Sequence, residues 1–138
     1  MEERKIILIE DDPDHADLIT EALGEEDLEK CIILVRDGME AIDYFQEFGV
    51  TRDEQIENKV KLVILDLHLP KVDGMDVLKF LKKNPKYSKI PVIILSTSSN
   101  QETINEAYKY GANGYFVKSA SYEEFVKKVN DCSHLFPQ

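Results

Sequence analysis

Short, β-branched apolar runs recur along this chain, and helix-like stretches separate them. The runs predict five strands, at Lys5–Ile9, Cys31–Val35, Lys61–Leu65, Pro91–Leu95 and Gly114–Val117. The stretches between them carry the spacing of amphipathic helices. Because strands that alternate with helices join through right-handed crossovers, they fold into a parallel sheet with helices on both faces. The sequence therefore predicts an α/β fold: a three-layer, doubly wound (βα)5 parallel sheet.

Polar side chains predict where the helices begin. Asp12, Asp37 and Asp73 each stand where a side chain can cap the first turn of one of the first three helices, and Ser99 with Glu102 fits a capping box for the fourth. The polar stretch 48–61 interrupts the pattern. We expect it to form an exposed insertion, either as an elongated loop or with an extra turn of helix.

Four of the predicted strands lead directly into a reactive side chain. Glu10 and Asp11 follow the first strand, Asp66 the third, Ser96 the fourth and Lys118 the fifth. In parallel sheets, ligands bind outside the carboxyl ends of the strands, so these side chains should converge on one edge. Carboxylates suit Mg²⁺, and a hydroxyl with an ammonium group suits a phosphoryl group. The pattern predicts a phosphoryl-transfer site that uses Mg²⁺.

The carboxylates need a counter-charge. Two carboxylates repel each other by roughly 4 kcal/mol at about 4 Å and an effective dielectric constant of about 20, and a divalent cation relieves this repulsion. We assign Asp11 and Asp66 to the metal and regard Asp12, which precedes Pro13, as a helix cap. An oxygen of Asp66 beside the metal can attack phosphorus and form an acyl phosphate. The alternative is that Asp66 only begins the turn at His68.

The other candidates also have structural alternatives. Thr97, Ser98 and Ser99 are expected to make turn hydrogen bonds, whereas Ser96 is the first polar residue beyond its strand and should face the site. Lys118 could be a surface lysine, but it directly follows an apolar strand and can pair with Asp66.

Composition bounds the remaining classes. The 138 residues fit one domain, 1–138, and no output domain is expected. The 27 acidic residues exceed the 17 basic ones and give a net charge of -10, so binding to nucleic acid is not expected. The apolar run before Glu10 is too short for a signal peptide or a membrane span, which predicts no membrane association and a cytoplasmic protein.

The motifs together resemble the receiver domain of two-component response regulators, of the single-domain chemotaxis type. The resemblance covers essentially the whole chain. It depends on Glu10-Asp11, on Asp66–Pro70 with Asp73-Gly74, on Ser96 and on Gly111–Lys118, with spacings that fit the family closely. The insertion at 48–61, with Arg36–Gly38 and Leu95–Ser98, is more similar to receivers that serve phytochrome-type kinases.

This resemblance implies a flavodoxin-like sheet of order 2-1-3-4-5. It implies that Asp66 accepts a phosphoryl group from a sensor histidine kinase or phosphotransfer protein. Asp11, Asp66 and the backbone carbonyl of His68 would bind Mg²⁺, with Glu10 acting through water, while the His68 ring is a bystander.

The resemblance also implies a switch rather than an enzyme, although the domain would assist its own phosphotransfer and dephosphorylation. Ser96 would move to a phosphoryl oxygen and Tyr115 would rotate inward. These shifts would remodel the face made by the fourth helix, fifth strand and fifth helix, where an unknown protein target is read. We expect a monomer or a weak homodimer.

Two residues depart from the family pattern. Ser119 stands where receivers usually carry a proline joined by a cis bond, so we predict a trans or mobile loop after Lys118. Thr97 stands where a smaller residue is usual and is expected to narrow access to Asp66.

Other functions fit the residues less well. A haloacid-dehalogenase-type phosphatase needs a second aspartate at the position where this chain has His68. A flavodoxin-like electron carrier needs a phosphate-binding loop after the first strand, where this chain has Glu10–Pro13. A receiver that signals by binding alone, or that passes its phosphoryl group onward in a phosphorelay, remains as the alternative.

Overall fold

Five strands alternate with four helices in the computed structural model, which describes residues 5–24, 32–51, 60–69 and 72–118. In chain order the elements are β1 (Lys5–Ile9), α1 (Pro13–Gly24), β2 (Ile32–Val35), α2 (Gly38–Thr51), β3 (Val60–Asp66), α3 (Gly74–Lys83), β4 (Val92–Ser96), α4 (Gln101–Lys109) and β5 (Gly114–Val117). The predicted fifth helix and the Lys118–Ser119 peptide lie outside the described residues. Within the predicted insertion, residues 48–51 continue α2, and 52–59 lie outside the description. The prediction was wrong for Val60 and Lys61, which belong to β3.

The five strands form one parallel sheet of order β2-β1-β3-β4-β5, which confirms the predicted fold class. Every neighbouring pair is parallel, so all the carboxyl ends lie at the same edge. The strands β3 and β4 both end one residue later than predicted; β3 also begins one residue earlier, at Val60, whereas β4 begins one residue later, at Val92. Asp66 and Ser96 are therefore the last residues of their strands and take part in the sheet register.

Alternate side chains of the strands build two separate cores. Ile6 and Leu8 of β1 face α1, where they pack with Ala16 and Ile19. Residues of the opposite parity face α2, α3 and α4 and pack around Phe45. Both faces of the sheet are thus buried by helices, as the continuous apolar runs of the central strands predict. In the described part of the chain, no helix is long and apolar enough to cross a membrane.

The first three helix starts are capped as predicted. The Oδ1 atoms of Asp12, Asp37 and Asp73 accept hydrogen bonds from backbone N–H groups two or three residues on, at 2.8–2.9 Å. The prediction for α4 was wrong by one residue. Asn100, not Ser99, accepts from the N–H of Glu102 at 2.8 Å, because Asn100 is the extended residue directly before the helix.

The start of α3 packs against the backbone that carries Asp66. Gly74 is buried, and its N–H donates to the carbonyl of Leu67 at 3.1 Å. A Cβ at this position would run into the carbonyl oxygen of Asp66 and lie 2.6 Å from the Cα of Leu67. Only a glycine lets the helix approach the end of β3 this closely, so Gly74 fixes where that strand ends.

We predict that Gly74→Ala destabilises the protein by about 3 kcal/mol, because the added methyl meets backbone that cannot move aside without displacing the end of β3. Gly114→Ala is the matched control. Its Cβ would lie 2.9 Å from Cδ1 of Ile93, the flexible end of a side chain, and should cost less. Urea unfolding measures both. Equal stability of the two variants would contradict this account of Gly74.

Candidate functional site

The edge formed by the carboxyl ends of the strands brings together the side chains that the sequence singled out. Glu10 and Asp11 follow β1, Asp66 ends β3, Ser96 ends β4 and Lys118 follows β5. Because β1, β3, β4 and β5 are neighbours in that order, residues far apart in the chain meet here. The site is a direct consequence of the strand order.

Two of the carboxylates at this edge are buried. Glu10 is 1% exposed and Asp66 is 5% exposed, while Asp11 is exposed to solvent. One carboxylate oxygen from each of the three lies within 4.8 Å of the others. Hydrogen bonds hold the two buried groups: Oδ1 of Asp66 accepts from the N–H of His68 at 3.0 Å, and Oε2 of Glu10 accepts from the N–H of Asp12 at 3.3 Å.

Lys118 places a positive charge between the buried carboxylates. Its Nζ lies 2.7 Å from Oε1 of Glu10 and 3.3 Å from Oδ2 of Asp66. The backbone N–H of Lys118 donates to the carbonyl of Ser96 at 2.7 Å, which fixes the start of the side chain at the edge of the sheet. Lys118 is thus a partly buried partner of both carboxylates rather than a free surface lysine.

Ser96 and Tyr115 are linked through Ser98. The side chain of Ser96 is fully buried, and its Oγ accepts from the N–H of Ser98 at 3.0 Å. The hydroxyl of Tyr115, which is half-buried, donates to the carbonyl of Ser98 at 2.8 Å. The backbone of Ser98 is therefore hydrogen-bonded to both side chains that the resemblance implies would move.

Comparison with known proteins identifies the family. The sequence matches the response regulator receiver domain over residues 6–130. The response regulator Rcp1 of Synechocystis sp. is 35% identical over 124 residues, which cover 90% of this chain and 82% of that protein. This chain belongs to the response regulator receiver domain family.

Solved receivers have the same architecture. The phosphorylated cyanobacterial phytochrome response regulator RcpA is 35% identical and superposes with a TM-score of 0.84, covering 98% of this chain and 94% of that one. The Mn²⁺-bound form of Rcp1 is 31% identical with a TM-score of 0.80, covering 99% and 96%. Both likenesses extend over nearly the whole receiver.

The other polar residues that the sequence singled out are Asp12, His68 and Thr97. Asp12 caps α1, and the N–H groups of Asp14 and then His15 lower the pKa of its carboxyl group. The residue His68 is exposed, and its backbone N–H contacts Asp66. Thr97 is exposed beside the buried Ser96.

Sequence reasoning missed His15. Its Nδ1 lies 3.0 Å from Nζ of Lys118 and 3.8 Å from Oε1 of Glu10. Its position in the chain could have indicated this contact. Side chains in the first turn of a helix point back toward the amino end of the helix, and α1 begins directly at the site.

The burial of Glu10 governs the electrostatics of the receiver site. Desolvation, reinforced by the neighbouring Asp66 side chain, raises the pKa of Glu10 from 4.5 to about 7, and Lys118 opposes this rise. The single ammonium group does not fully compensate the buried carboxylates. An oxygen-rich cluster with too little positive charge suits a hard divalent cation, so Glu10, Asp11 and Asp66 could together hold a metal ion.

The raised pKa of Glu10 predicts a pH-dependent stability in metal-free buffer. Well below pH 4.5 the carboxyl group is protonated in both the folded and the unfolded chain, and its burial does not lower the free energy of unfolding. Between pH 4.5 and about 7 the unfolded chain ionises first, so the free energy of unfolding falls, and above about 7 the loss is complete. Relative to Glu10→Gln, the parent should lose on the order of 3 kcal/mol between pH 5 and pH 8.

Urea unfolding of parent and Glu10→Gln across this pH range measures the difference. Glu106→Gln, which changes an exposed carboxylate on α4, is the control and should run parallel to the parent. If Glu10→Gln also ran parallel to the parent, burial would not be the cause we assign.

Proposed function

We propose that this receiver is a phosphorylation-dependent switch in which Asp66 takes a phosphoryl group from the phosphohistidine of a sensor histidine kinase or phosphotransfer protein. The observation that carries the proposal is the environment of Asp66. It is a buried carboxylate at the end of β3, with an ammonium group 3.3 Å from one oxygen and two further carboxylates beside it. A carboxylate in this setting can act as a nucleophile toward phosphorus.

The transfer exchanges one bond for another. A carboxylate oxygen of Asp66 forms a bond to phosphorus, the bond between phosphorus and the donor's imidazole nitrogen breaks, and the electron pair leaves with the imidazole. The product is an acyl phosphate. Lys118 is placed to neutralise a phosphoryl oxygen, since its Nζ already contacts Asp66. Bound Mg²⁺, held by Asp11, Asp66 and the backbone carbonyl of His68, with Glu10 acting through water, would supply further charge neutralisation.

The switch is proposed to run through Ser98. When the Ser96 hydroxyl turns toward a phosphoryl oxygen on Asp66, it gives up the N–H of Ser98. The carbonyl of Ser98 holds the hydroxyl of Tyr115, so a shift of this segment releases the ring and changes the surface beside α4 and β5. The covalent dianion biases the equilibrium because it makes new contacts in only one of two arrangements.

The donor is proposed to be a phytochrome-type histidine kinase in the cytoplasm. Support comes from the similarity over nearly the whole chain to RcpA, a phytochrome response regulator that was solved in its phosphorylated form. The read-out is proposed to be binding of a protein target by the free receiver or a weak homodimer of it, without catalytic turnover.

Phosphorylation is tested by intact mass after incubation with Mg²⁺ and acetyl phosphate. The parent should gain one phosphoryl group and should gain none when Mg²⁺ is chelated. Asp66→Asn keeps the size of the side chain but removes the nucleophile, so its labelling should fall at least about 100-fold. Asp76→Asn, an exposed aspartate on α3, is the control and should label like the parent. Labelling of Asp66→Asn at the parent rate would remove Asp66 from this role.

The switch is tested separately in Ser96→Ala. This variant should still accept a phosphoryl group, within about tenfold of the parent rate, because the nucleophile remains. Phosphorylation should no longer shift the NMR signals of the Tyr115 ring, since the hydroxyl that responds to the dianion is gone. Ser96→Thr keeps a hydroxyl and should retain the shift. A full Tyr115 response in Ser96→Ala would contradict the proposed coupling.

A further inference from the structure

The ammonium group of Lys118 has an acceptor for each of its three N–H bonds. The distances from Nζ are 2.7 Å to Oε1 of Glu10, 3.0 Å to Nδ1 of His15 and 3.3 Å to Oδ2 of Asp66. An ammonium group carries three donors and no acceptor. The contact with Asp66 is the longest of the three, so Glu10 and His15 are the closer anchors of the charge.

The ammonium group of Lys118, as the hydrogen-bond donor, determines which tautomer of His15 fits. Since Lys118 can only donate, Nδ1 of His15 must offer a lone pair, and the ring proton of a neutral imidazole then resides on Nε2. The carboxylates of Glu10 and Asp12 are 3.8 and 3.7 Å from Nδ1, beyond hydrogen-bond distance. Lys118 is therefore the partner that Nδ1 contacts at hydrogen-bond distance.

The position of His15 is fixed by the cap of α1. Asp12 accepts hydrogen bonds from the N–H of Asp14 at 2.9 Å and from the N–H of His15 at 3.4 Å. The first turn of the helix is thus held to the loop that also carries Glu10 and Asp11. The ring is 38% exposed, so it forms the solvent-facing side of the lysine's surroundings.

We propose that His15 is a positioning residue for phosphoryl transfer, which rests on the function proposed above. It acts through Lys118. When the phosphoryl group arrives, one N–H of the ammonium group moves from Oδ2 of Asp66 to a phosphoryl oxygen, while the N–H groups bound to Glu10 and His15 keep their acceptors. The charge then stays at the place where the new dianion forms.

Removing the acceptor frees one N–H of Lys118. That N–H must turn to water or to a carboxylate, and the ammonium group then spends less time where the phosphoryl oxygen arrives. The alternative is that His15 is a surface histidine without a role at the site, in which case its removal would not change the rate of phosphoryl transfer.

The test measures the rate at which the full chain gains a phosphoryl group from acetyl phosphate at saturating Mg²⁺. His15→Ala should react about fivefold to tenfold more slowly, the size expected for one charge-assisted hydrogen bond that is partly open to solvent. His15→Asn carries Oδ1 at the same number of bonds from the backbone as Nδ1, so it should restore the rate to within about twofold of the parent. Asp17→Ala, exposed on the same helix, is the control and should match the parent.

The contact has a readout that does not depend on phosphorylation. The ¹⁵N shifts of the His15 ring should report a proton on Nε2 and an unprotonated, hydrogen-bonded Nδ1, and Lys118→Met should shift the Nδ1 signal toward that of a free lone pair. A proton on Nδ1 in the parent, or no response to Lys118→Met, would overturn the contact.

The outcomes separate the two proposals. If the parent gains no phosphoryl group, the proposed function fails and the role of His15 fails with it. If the parent is labelled and His15→Ala is labelled as fast, the inference about His15 alone is overturned. A slow His15→Ala that His15→Asn does not rescue would also overturn it, because the acceptor would then not be what matters.

Discussion

The buried pair of carboxylates, Glu10 and Asp66, is the constraint on which the rest of this site depends. Both lie at the end of the sheet with little exposure, and one ammonium group is shared between them. Burying charge is costly unless it is paired, so the protein must deliver Lys118 from β5 to a place between β1 and β3. The parallel strand order brings the end of β5 to this edge of the sheet, and the hydrogen bond from the Lys118 N–H to the carbonyl of Ser96 holds the lysine there.

Much of the fold and of the site could be predicted from local patterns. Apolar runs located the strands to within about a residue, and aspartates located three helix starts, because these signals act over a few residues. The cap of α4 was missed because Ser99 and Asn100 are both good caps, and backbone conformation chose between them. The sheet order came from resemblance to a family. The contact of His15 with Lys118 joins residues 103 positions apart, and no local pattern reports it.

The same edge of the sheet carries the buried carboxylate of Asp66 and a set of hydrogen bonds that leads from Ser96 to the half-buried ring of Tyr115. Asp66 and Ser96 end neighbouring strands, and Ser98 links the buried hydroxyl of Ser96 to the half-buried ring of Tyr115. In the proposed switch, a group added at Asp66 would lie beside Ser96, and a movement of Ser96 would change hydrogen bonds in the segment before α4. Close packing holds the end of β3 in place, since Gly74 lets α3 approach it directly. The side chains of the site thus stand on packed strand ends, beside the loop that carries Ser98.

The carboxylates at this edge carry more negative charge than Lys118 compensates, and we propose that a divalent cation makes up the difference. This proposal is tested by calorimetric titration of the metal-free protein with Mg²⁺ at pH 7.5, with Asp11→Asn and the exposed control Asp14→Asn alongside. We expect one saturable site per chain, at least about tenfold weaker in Asp11→Asn and unchanged in Asp14→Asn. No saturable binding, or equal affinity in Asp11→Asn and the parent, would contradict it.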